Sequence, residues 1–253
     1  AAGYNSLLGR ATDPAKRESL LNMAIKEASF AKEFDPQQPG AYYLLSVFYS
    51  LKQDKENTLK NINLGLASDN IEDDQRLSLL VAGADAMSRL SDFPAAMSYL
   101  EQASQIDDSN VLIYKSLGAL YAQQEQYENA LETFDKALDL VDDADVEDQV
   151  KIDLYFNRGI VYLKMEDFDE AEYNFEEAYF LAPEDTEAIY GLAQALERAK
   201  RWRKARGYYM DLIDLDPNNP AYYYGVYTTY FEEGRLEDAT EYLNKATALK
   251  NRN

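Results

Sequence analysis

The chain has 253 residues, of which 46% are hydrophobic, and it carries a formal net charge of −21. This apolar fraction is typical of a folded protein, so the strong negative charge does not indicate disorder. The same charge disfavours DNA, RNA and anionic membrane surfaces as partners, because binding to them depends on Lys and Arg. Without cysteine or histidine, disulfide bridges, thiolate nucleophiles, imidazole bases and the usual zinc sites are excluded, and we expect no metal and no cofactor.

The compartment is left open by the sequence. A lack of cysteine fits the cytosol and equally an exported, periplasmic or envelope-associated bacterial protein. No apolar run approaches the roughly 18 residues that a membrane-spanning helix needs. The chain begins Ala1-Ala2-Gly3 without an initiator Met, so we expect that any leader or anchor lies outside these residues.

Helical patterns recur along the chain at a nearly constant spacing. The steps between successive repeats are 34, 38, 34, 41, 34 and 34 residues. In each repeat we predict two amphipathic helices that bury their apolar faces on each other and on the next pair, which makes residues 1–253 a single domain. The predicted repeats start near Asn5, Pro39, Leu77, Val111, Ile152, Thr186 and Pro220.

The first repeat is irregular, because Asp13 and Pro14 form a helix start of their own. We therefore predict that its first helix is short. A small residue opens the second helix of most repeats, with Thr58 as the exception. This small position holds Ala24, Ala96, Ala130, Ala171, Ala205 and Ala239.

The fourth and fifth repeats match each other position by position. VLIYKSLGALYAQQEQYENALETFDKALDL, residues 111–140, aligns with IDLYFNRGIVYLKMEDFDEAEYNFEEAYFLAP, which starts at Ile152. The alignment pairs Tyr114 with Tyr155, Gly118 with Gly159, Tyr121 with Tyr162, Tyr127 with Phe168, Ala130 with Ala171, Phe134 with Phe175 and Ala137 with Ala178. This order of large, small and aromatic residues resembles the tetratricopeptide repeat (TPR), a helix–turn–helix unit. The resemblance implies an all-α fold, a right-handed α-solenoid whose first helices line a concave groove.

Two insertions interrupt the regular spacing. The stretch VDDADVED, residues 141–148, holds five carboxylates, but it lacks the Gly and the distant Glu of a calcium-binding EF-hand loop. We interpret it as a solvated linker whose acids favour the start of the next helix. The insertion at residues 68–75 is interpreted in the same way.

The sixth repeat contains RAKRWRKAR, residues 198–206, with six basic residues in an acidic chain. Two interpretations remain open. Either these residues dock an acidic partner or a second copy, or they form a solvated turn that offsets local acidity. Trp202 aligns with Phe93, Tyr127 and Phe168, so we predict a packing role for it.

The seventh repeat opens with PAYYYGVYTTYFEEG, residues 220–234. The alignment places Tyr223 and Tyr230 in the core and Tyr224 on the groove. Tyr227 falls where better-matched repeats hold glycine or alanine, so either Gly225 lets the helices shift or this end is built differently. Solenoids of this family commonly finish with an extra polar helix, so we expect a second copy, a partner or further residues to cover this end.

The resemblance implies a groove that binds a protein or peptide segment. Exposed rings, aliphatic residues and sparse charges suit an extended or helical segment, although several of these residues could instead pack between neighbouring first helices. The candidate groove residues are Tyr43, Val47, Asp85, Arg89, Lys115, Phe156, Asn157, Ile160, Tyr190, Gln194, Arg198, Tyr224 and Thr228.

One TPR subfamily grips C-terminal carboxylates with Lys, Asn and Arg residues. Asn157 and Lys115 match two of its positions, but Ala119, Glu187 and Gly191 replace the others. We therefore do not expect that clamp here.

Taken together, the sequence predicts a non-catalytic adaptor or scaffold that binds a protein or peptide segment within a larger assembly. No recognisable carboxylate pocket or phosphate-binding glycine loop supports an enzyme. The alternatives are a bacterial envelope-associated assembly factor and a structural protein that forms a homo-oligomer through its C-terminal end.

Overall fold

The structure is a computed structural model that describes residues 13–69, 71–143 and 148–251. These residues are all-α, as expected, with thirteen helices and no strand. In chain order the helices are α1 (Pro14–Phe34), α2 (Pro39–Leu51), α3 (Lys55–Leu66), α4 (Asp73–Arg89), α5 (Phe93–Ile106), α6 (Val111–Gln123), α7 (Tyr127–Asp143), α8 (Asp148–Lys164), α9 (Phe168–Leu181), α10 (Thr186–Arg198), α11 (Trp202–Leu215), α12 (Pro220–Glu232) and α13 (Leu236–Lys250).

The helix starts follow the repeat spacing read from the sequence. Helices α2, α6, α10 and α12 begin at residues where repeats were predicted to start. Helix α4 begins at Asp73 and α8 at Asp148, one turn before Leu77 and Ile152, so each insertion adds a turn to the following helix. The predicted start at Asn5 and the short first helix lie outside the described residues, and the prediction of one domain stays a prediction.

The chain divides into two compact units, residues 1–120 and 121–253, called here the N-terminal and C-terminal units. In the N-terminal unit, Leu21 and Ala24 of α1 pack with Leu45 and Phe48 of α2. A larger cluster joins α3 to α6 and includes Ile62, Leu80, Met87, Leu100 and Ile113. Each pair of helices thus buries its apolar face on the next pair.

In the C-terminal unit, large aromatic rings occupy the space that glycines leave open. Phe175 of α9 lies against Gly159 of α8 and Gly191 of α10. Tyr209 of α11 lies in the same way against Gly225 of α12. Side chains at these glycines would collide with the rings, so the glycines set how closely the helices approach.

The tyrosine-rich helix α12 differs in part from the prediction. Tyr230 is buried as expected, but Tyr223 is only half-buried, and its neighbour Tyr222 takes the buried place with 7% of its surface exposed. The position of Tyr222 is also buried in the earlier repeats, where it holds Ala41, Leu79, Ile113, Leu154 and Ala188, so the burial of Tyr222 follows the repeat. Tyr227 is half-buried and lies against Phe231, with their ring centroids 5.7 Å apart.

The basic segment of the sixth repeat forms ion pairs within the C-terminal unit. Arg201 bonds to Asp169 and Glu172, and Lys204 Nζ lies 2.9 Å from Glu172 Oε1. Arg206 pairs with Glu233 at 2.7 Å. These contacts favour the interpretation in which the segment offsets nearby acidity, because Arg201, Lys204 and Arg206 already have acidic partners from α9 and the end of α12.

The part of the chain that the structure describes shows no membrane-spanning helix and no cluster of metal ligands. None of its helices is long and apolar enough to cross a membrane. None of its acidic residues form a group of three or more that could hold a metal ion. The centre of the VDDADVED linker, residues 144–147, lies outside the described residues, so its interpretation as a solvated linker is not tested.

Candidate functional site

Five of the predicted groove residues belong to the N-terminal unit. Tyr43 of α2 is exposed, and Val47 one turn later is half-buried. Asp85 and Arg89 are both exposed on α4 and pair with each other at 2.6 Å. Lys115 is half-buried on α6. The Asp85–Arg89 pair reduces the charge that these two residues present to a ligand.

The other eight belong to the C-terminal unit, and five of them line one cleft of about 210 Å³, called here the Tyr190–Tyr224 cleft. These five are Tyr190, Gln194, Arg198, Tyr224 and Thr228. Leu163, Glu197, Tyr209 and Gly225 contribute to the remaining walls. The structure thus brings together side chains of the first helices of the sixth and seventh repeats.

The three remaining candidates serve the scaffold. Phe156 and Ile160 pack against the core of the C-terminal unit, with the Phe156 ring 5.7 Å from that of Phe175. Asn157 Nδ2 donates to the carbonyl oxygen of Asp153 at 2.7 Å, so its amide is bound to its own helix. These contacts match the alternative in which some groove positions pack between neighbouring helices.

Helical spacing places the cleft residues on one face. Tyr190, Gln194 and Arg198 follow one another at four-residue intervals on α10, and Tyr224 and Thr228 do so on α12. Both helices have side-chain caps, since Asp185 accepts from Glu187 N at 2.8 Å and Asn219 accepts from Ala221 N at 3.1 Å. These N-terminal caps fix the residue at which each helix begins, and so determine which side chains of α10 and α12 face the cleft.

Tyr209 enters the cleft from the second helix of the sixth repeat. Its side chain is almost fully buried, and its ring also lies 6.1 Å from the Tyr190 ring. Its hydroxyl donates to Glu197 Oε2 at 2.7 Å. This hydrogen bond joins a residue of the helical core to a carboxylate that lines the cleft.

Glu197 is the carboxylate that stands out in this site. Burial raises its pKa, the nearby Glu232 adds to the rise, and the Tyr209 hydrogen bond and Arg198 oppose it. Burial, together with Glu197 itself, also raises the pKa of Tyr209, so the phenol is a proton donor at any physiological pH. In this pair a neutral hydroxyl therefore donates to the Glu197 carboxylate.

Arg198, which follows Glu197 in the sequence, contacts other residues and does not form an ion pair with Glu197. Arg198 bonds to Glu166 Oε1 at 2.9 Å, and its guanidinium carbon lies 5.3 Å from the centre of the Phe168 ring. Among the described residues, no lysine or arginine forms an ion pair with Glu197. The cleft therefore holds a partly buried carboxylate without a cationic neighbour in contact.

The sequence analysis missed Glu197 and Tyr209, although comparing the repeats gives a signal for both. Glu197 replaces residues that are uncharged in the second to fifth and the seventh repeats, and Tyr209 replaces residues that have no hydroxyl. At the position of Glu197 the repeats hold Ser50, Ser88, Ala122, Leu163 and Phe231. At the position of Tyr209 they hold Ile62, Leu100, Phe134, Phe175 and Leu243.

Comparisons with known proteins bear on the fold. The chain resembles the solved structure of MamA (residues 41 to the end) from Desulfovibrio magneticus RS-1, with 21% identity, a TM-score of 0.63 and coverage of 70% of this chain and 96% of that one. It also resembles YrrB, described as a TPR protein with an unusual peptide-binding site, with 23% identity, a TM-score of 0.60 and coverage of 75% and 92%. No match was found among curated proteins.

Sequence models of the family give the assignment. Three models, each described as tetratricopeptide repeat, match residues 110–184, 162–228 and 228–253. Together they run from residue 110 to residue 253, more than half of the chain, and they include every residue of the Tyr190–Tyr224 cleft. The thirteen helices of the described residues fit about seven such repeats. The chain therefore belongs to the tetratricopeptide repeat family, as an all-α solenoid of TPR repeats.

Proposed function

We propose that this protein is an interaction scaffold that binds a peptide or a segment of another protein in the Tyr190–Tyr224 cleft. The observation that carries the proposal is the convergence of five groove residues, from two neighbouring first helices, on one concave site. Tyr224 has 55% of its surface exposed there, although a ring of this size gains from burial against a partner.

Two further points support a binding role over a catalytic one. The TPR fold typically serves as a non-catalytic interaction scaffold, and the structurally similar YrrB is described as having a peptide-binding site. The polar groups of the cleft, an amide at Gln194 and a hydroxyl at Thr228, suit the orientation of a backbone or a polar side chain.

The test is a selection of displayed twelve-residue peptides on the intact protein, followed by calorimetric titration of the selected peptides. We expect Tyr224→Ala to weaken their binding at least about tenfold, because a central aromatic contact contributes more than about 1.4 kcal/mol. Tyr173→Ala is the matched control, since Tyr173 is equally exposed on α9 and does not line the cleft.

Two outcomes would overturn the proposal. One is that no peptide is selected, and the other is that the selected peptides bind Tyr224→Ala and Tyr190→Ala as tightly as the unchanged protein. Light scattering on the same samples tests self-association. A dimer that Tyr224→Ala dissociates would identify a second copy as the segment in the cleft.

A further inference from the structure

We propose that the Tyr190–Tyr224 cleft recognises a cationic side chain, a lysine or an arginine of the bound segment, with Glu197 as its counter-ion. This inference rests on the proposed function, because it names the chemistry of the residue that the cleft receives. It assigns the binding role to Glu197 and a positioning role to Tyr209.

The Glu197 carboxylate is held in place by a buried side chain. Tyr209 donates to Glu197 Oε2 at 2.7 Å, and the Tyr209 ring is fixed against Gly225. A Cβ atom at Gly225 would lie 2.5 Å from this ring, so glycine is what makes room for it. A carboxylate held by a buried donor loses little conformational freedom when it binds a ligand.

Glu197 and Tyr209 both differ in residue type from the equivalent residues of the preceding repeat. At the same positions of the preceding repeat stand Leu163 and Phe175, which form no such hydrogen bond because they are apolar. At these two positions, only the sixth repeat combines a hydroxyl with a carboxylate. Since Phe175 packs well without a hydroxyl, packing alone does not call for Tyr209 or Glu197.

The charge of Glu197 and its surroundings favours a cationic ligand. A partly buried carboxylate is unfavourable unless a cation or several hydrogen bonds compensate it. Within the described part of the chain Glu197 has one hydrogen bond and no ion pair, and Glu232 nearby adds negative potential. Arg198 is held by Glu166 and Phe168. A cation from a partner would add to the weak compensation that Arg198 provides, whereas an anion beside Glu197 and Glu232 would be repelled.

The residues that line the cleft, and its volume, also favour a lysine or an arginine side chain. Tyr190 and Tyr224 contribute aromatic side chains from two helices to the same cleft as Glu197, and cations are attracted to the faces of such rings. A volume of about 210 Å³ suits one long side chain rather than a folded domain. The methylene stem of a lysine or an arginine would pack along Leu163 and the rings while its charged end reaches Glu197.

The experiment is a parallel selection of displayed twelve-residue peptides on the intact protein and on Glu197→Gln. Glutamine keeps the shape of the side chain and its acceptor for Tyr209, so this variant is expected to fold, and circular dichroism will confirm it. We expect lysine or arginine to be enriched at one peptide position on the unchanged protein and not on Glu197→Gln. Glu176→Gln on α9, an exposed acid outside the cleft, is the matched control.

Titration of one selected peptide then measures the effect. Replacing its selected lysine by norleucine, or its arginine by citrulline, should weaken binding about tenfold or more on the unchanged protein. The same replacement should change binding less than about twofold on Glu197→Gln, because the counter-ion is already lost. Tyr209→Phe keeps the ring and removes the hydroxyl, so we expect an intermediate loss that is confined to the cationic peptide.

The outcomes separate this inference from the proposed function. Selected peptides that bind Tyr224→Ala poorly, yet show no preference for lysine or arginine, would contradict the recognition of a cationic side chain. They would still support peptide binding in the cleft. Equal enrichment of basic residues on Glu197→Gln and on the unchanged protein would overturn the role of Glu197. Selection of no peptide at all would overturn both proposals.

Discussion

Individual glycine and aromatic residues determine how the paired helices of the C-terminal unit meet. Phe175 fills the space beside Gly159 and Gly191, and Tyr209 fills the space beside Gly225. Because protein interiors are packed as closely as crystals, a single methyl group at such a position has no room. The same contact at Gly225 also fixes the ring that holds Glu197, so packing and the candidate site depend on one residue.

Gly225→Ala is therefore expected to destabilise the protein by about 1–3 kcal/mol through overpacking. The new Cβ atom would lie 2.5 Å from Tyr209 ring atoms, a distance that requires the buried ring to move. Gly207→Ala is the control, since a Cβ atom there meets nothing within 4 Å, and it should stabilise α11 by about 0.5–1 kcal/mol. Urea denaturation followed by circular dichroism measures both, and equal effects would contradict the packing argument.

Glu197→Gln should stabilise the unbound protein at neutral pH, by less than about 1 kcal/mol because the group is partly solvated. Burial raises the folded-state pKa of Glu197, so the unfolded chain releases this proton first as pH rises, and stability falls through that interval. Below about pH 4 both states are protonated and the gain should disappear. Thermal denaturation of both proteins from acid to neutral pH measures this difference in stability. If Glu197→Gln remained more stable below about pH 4, the raised pKa of Glu197 could not be its cause.

The sequence predicted residues that share their role with other repeats and missed those that depart from it. Tyr230 and the small residue Ala171 were found because equivalent positions in other repeats hold similar residues. Tyr222 is an exception, because only the large residues aligned with Tyr114 and Tyr121 were predicted to be core. Its own position is buried in the earlier repeats as well, where it holds Ala41, Leu79, Ile113, Leu154 and Ala188. Glu197 stood outside the aligned groove positions, and its importance depends on a hydrogen bond from another helix.

At the scale of the helix pair, one turn geometry joins the first and second helices of each described pair from α2 onwards. The residue 14 positions after each repeat start has a positive φ between 58° and 74°. These residues are Gln53, Ser91, Glu125, Glu166, Lys200 and Gly234. Only the last is glycine, although the left-handed conformation disfavours side chains by roughly 1–2 kcal/mol. Five turns thus carry local strain that the packing of the helices compensates.

Ser91→Gly is accordingly expected to stabilise the protein by about 0.5–1 kcal/mol, because Ser91 is exposed with φ 58° and glycine removes the strain. Gly234→Ala, at φ 74°, should destabilise it by a similar amount, although a Cβ atom there has open space. Urea denaturation of both variants measures the pair. Changes of the same sign would show that the backbone conformation does not determine stability at this turn.

Ion pairs between consecutive repeats are a further feature at this scale, and the sequence indicated them only in outline. Glu172 of α9 has 9% of its side-chain surface exposed and accepts from both Arg201 and Lys204 of the next repeat. The cluster of bases was evident from composition, whereas its acidic partners lie about 30 residues away and require the fold. Arg206 also stacks on the Tyr230 ring, with its guanidinium carbon 4.2 Å from the ring centre.

For the whole molecule, the dominant electrostatic quantity is the net charge of −21. Like charges spread over a folded chain repel one another and destabilise the compact state. Exposed ion pairs oppose this effect, but each contributes only about 0–1 kcal/mol. We therefore expect the excess of acids to outweigh the pairs, and it also favours approach of the cationic segments that we propose as ligands.

Added sodium chloride should accordingly raise the thermal midpoint of the unbound protein by a few degrees. Going from about 0.01 M to about 0.15 M salt shortens the Debye length from about 30 Å to about 8 Å, which screens repulsion between exposed acids while weakening the ion pairs less. A variant with Glu132, Glu176 and Glu237, all exposed, changed to glutamine should respond less because three negative charges are gone. A midpoint that falls with salt, or a variant that responds as strongly, would mean that ion pairs such as Arg201–Glu172 outweigh the net repulsion.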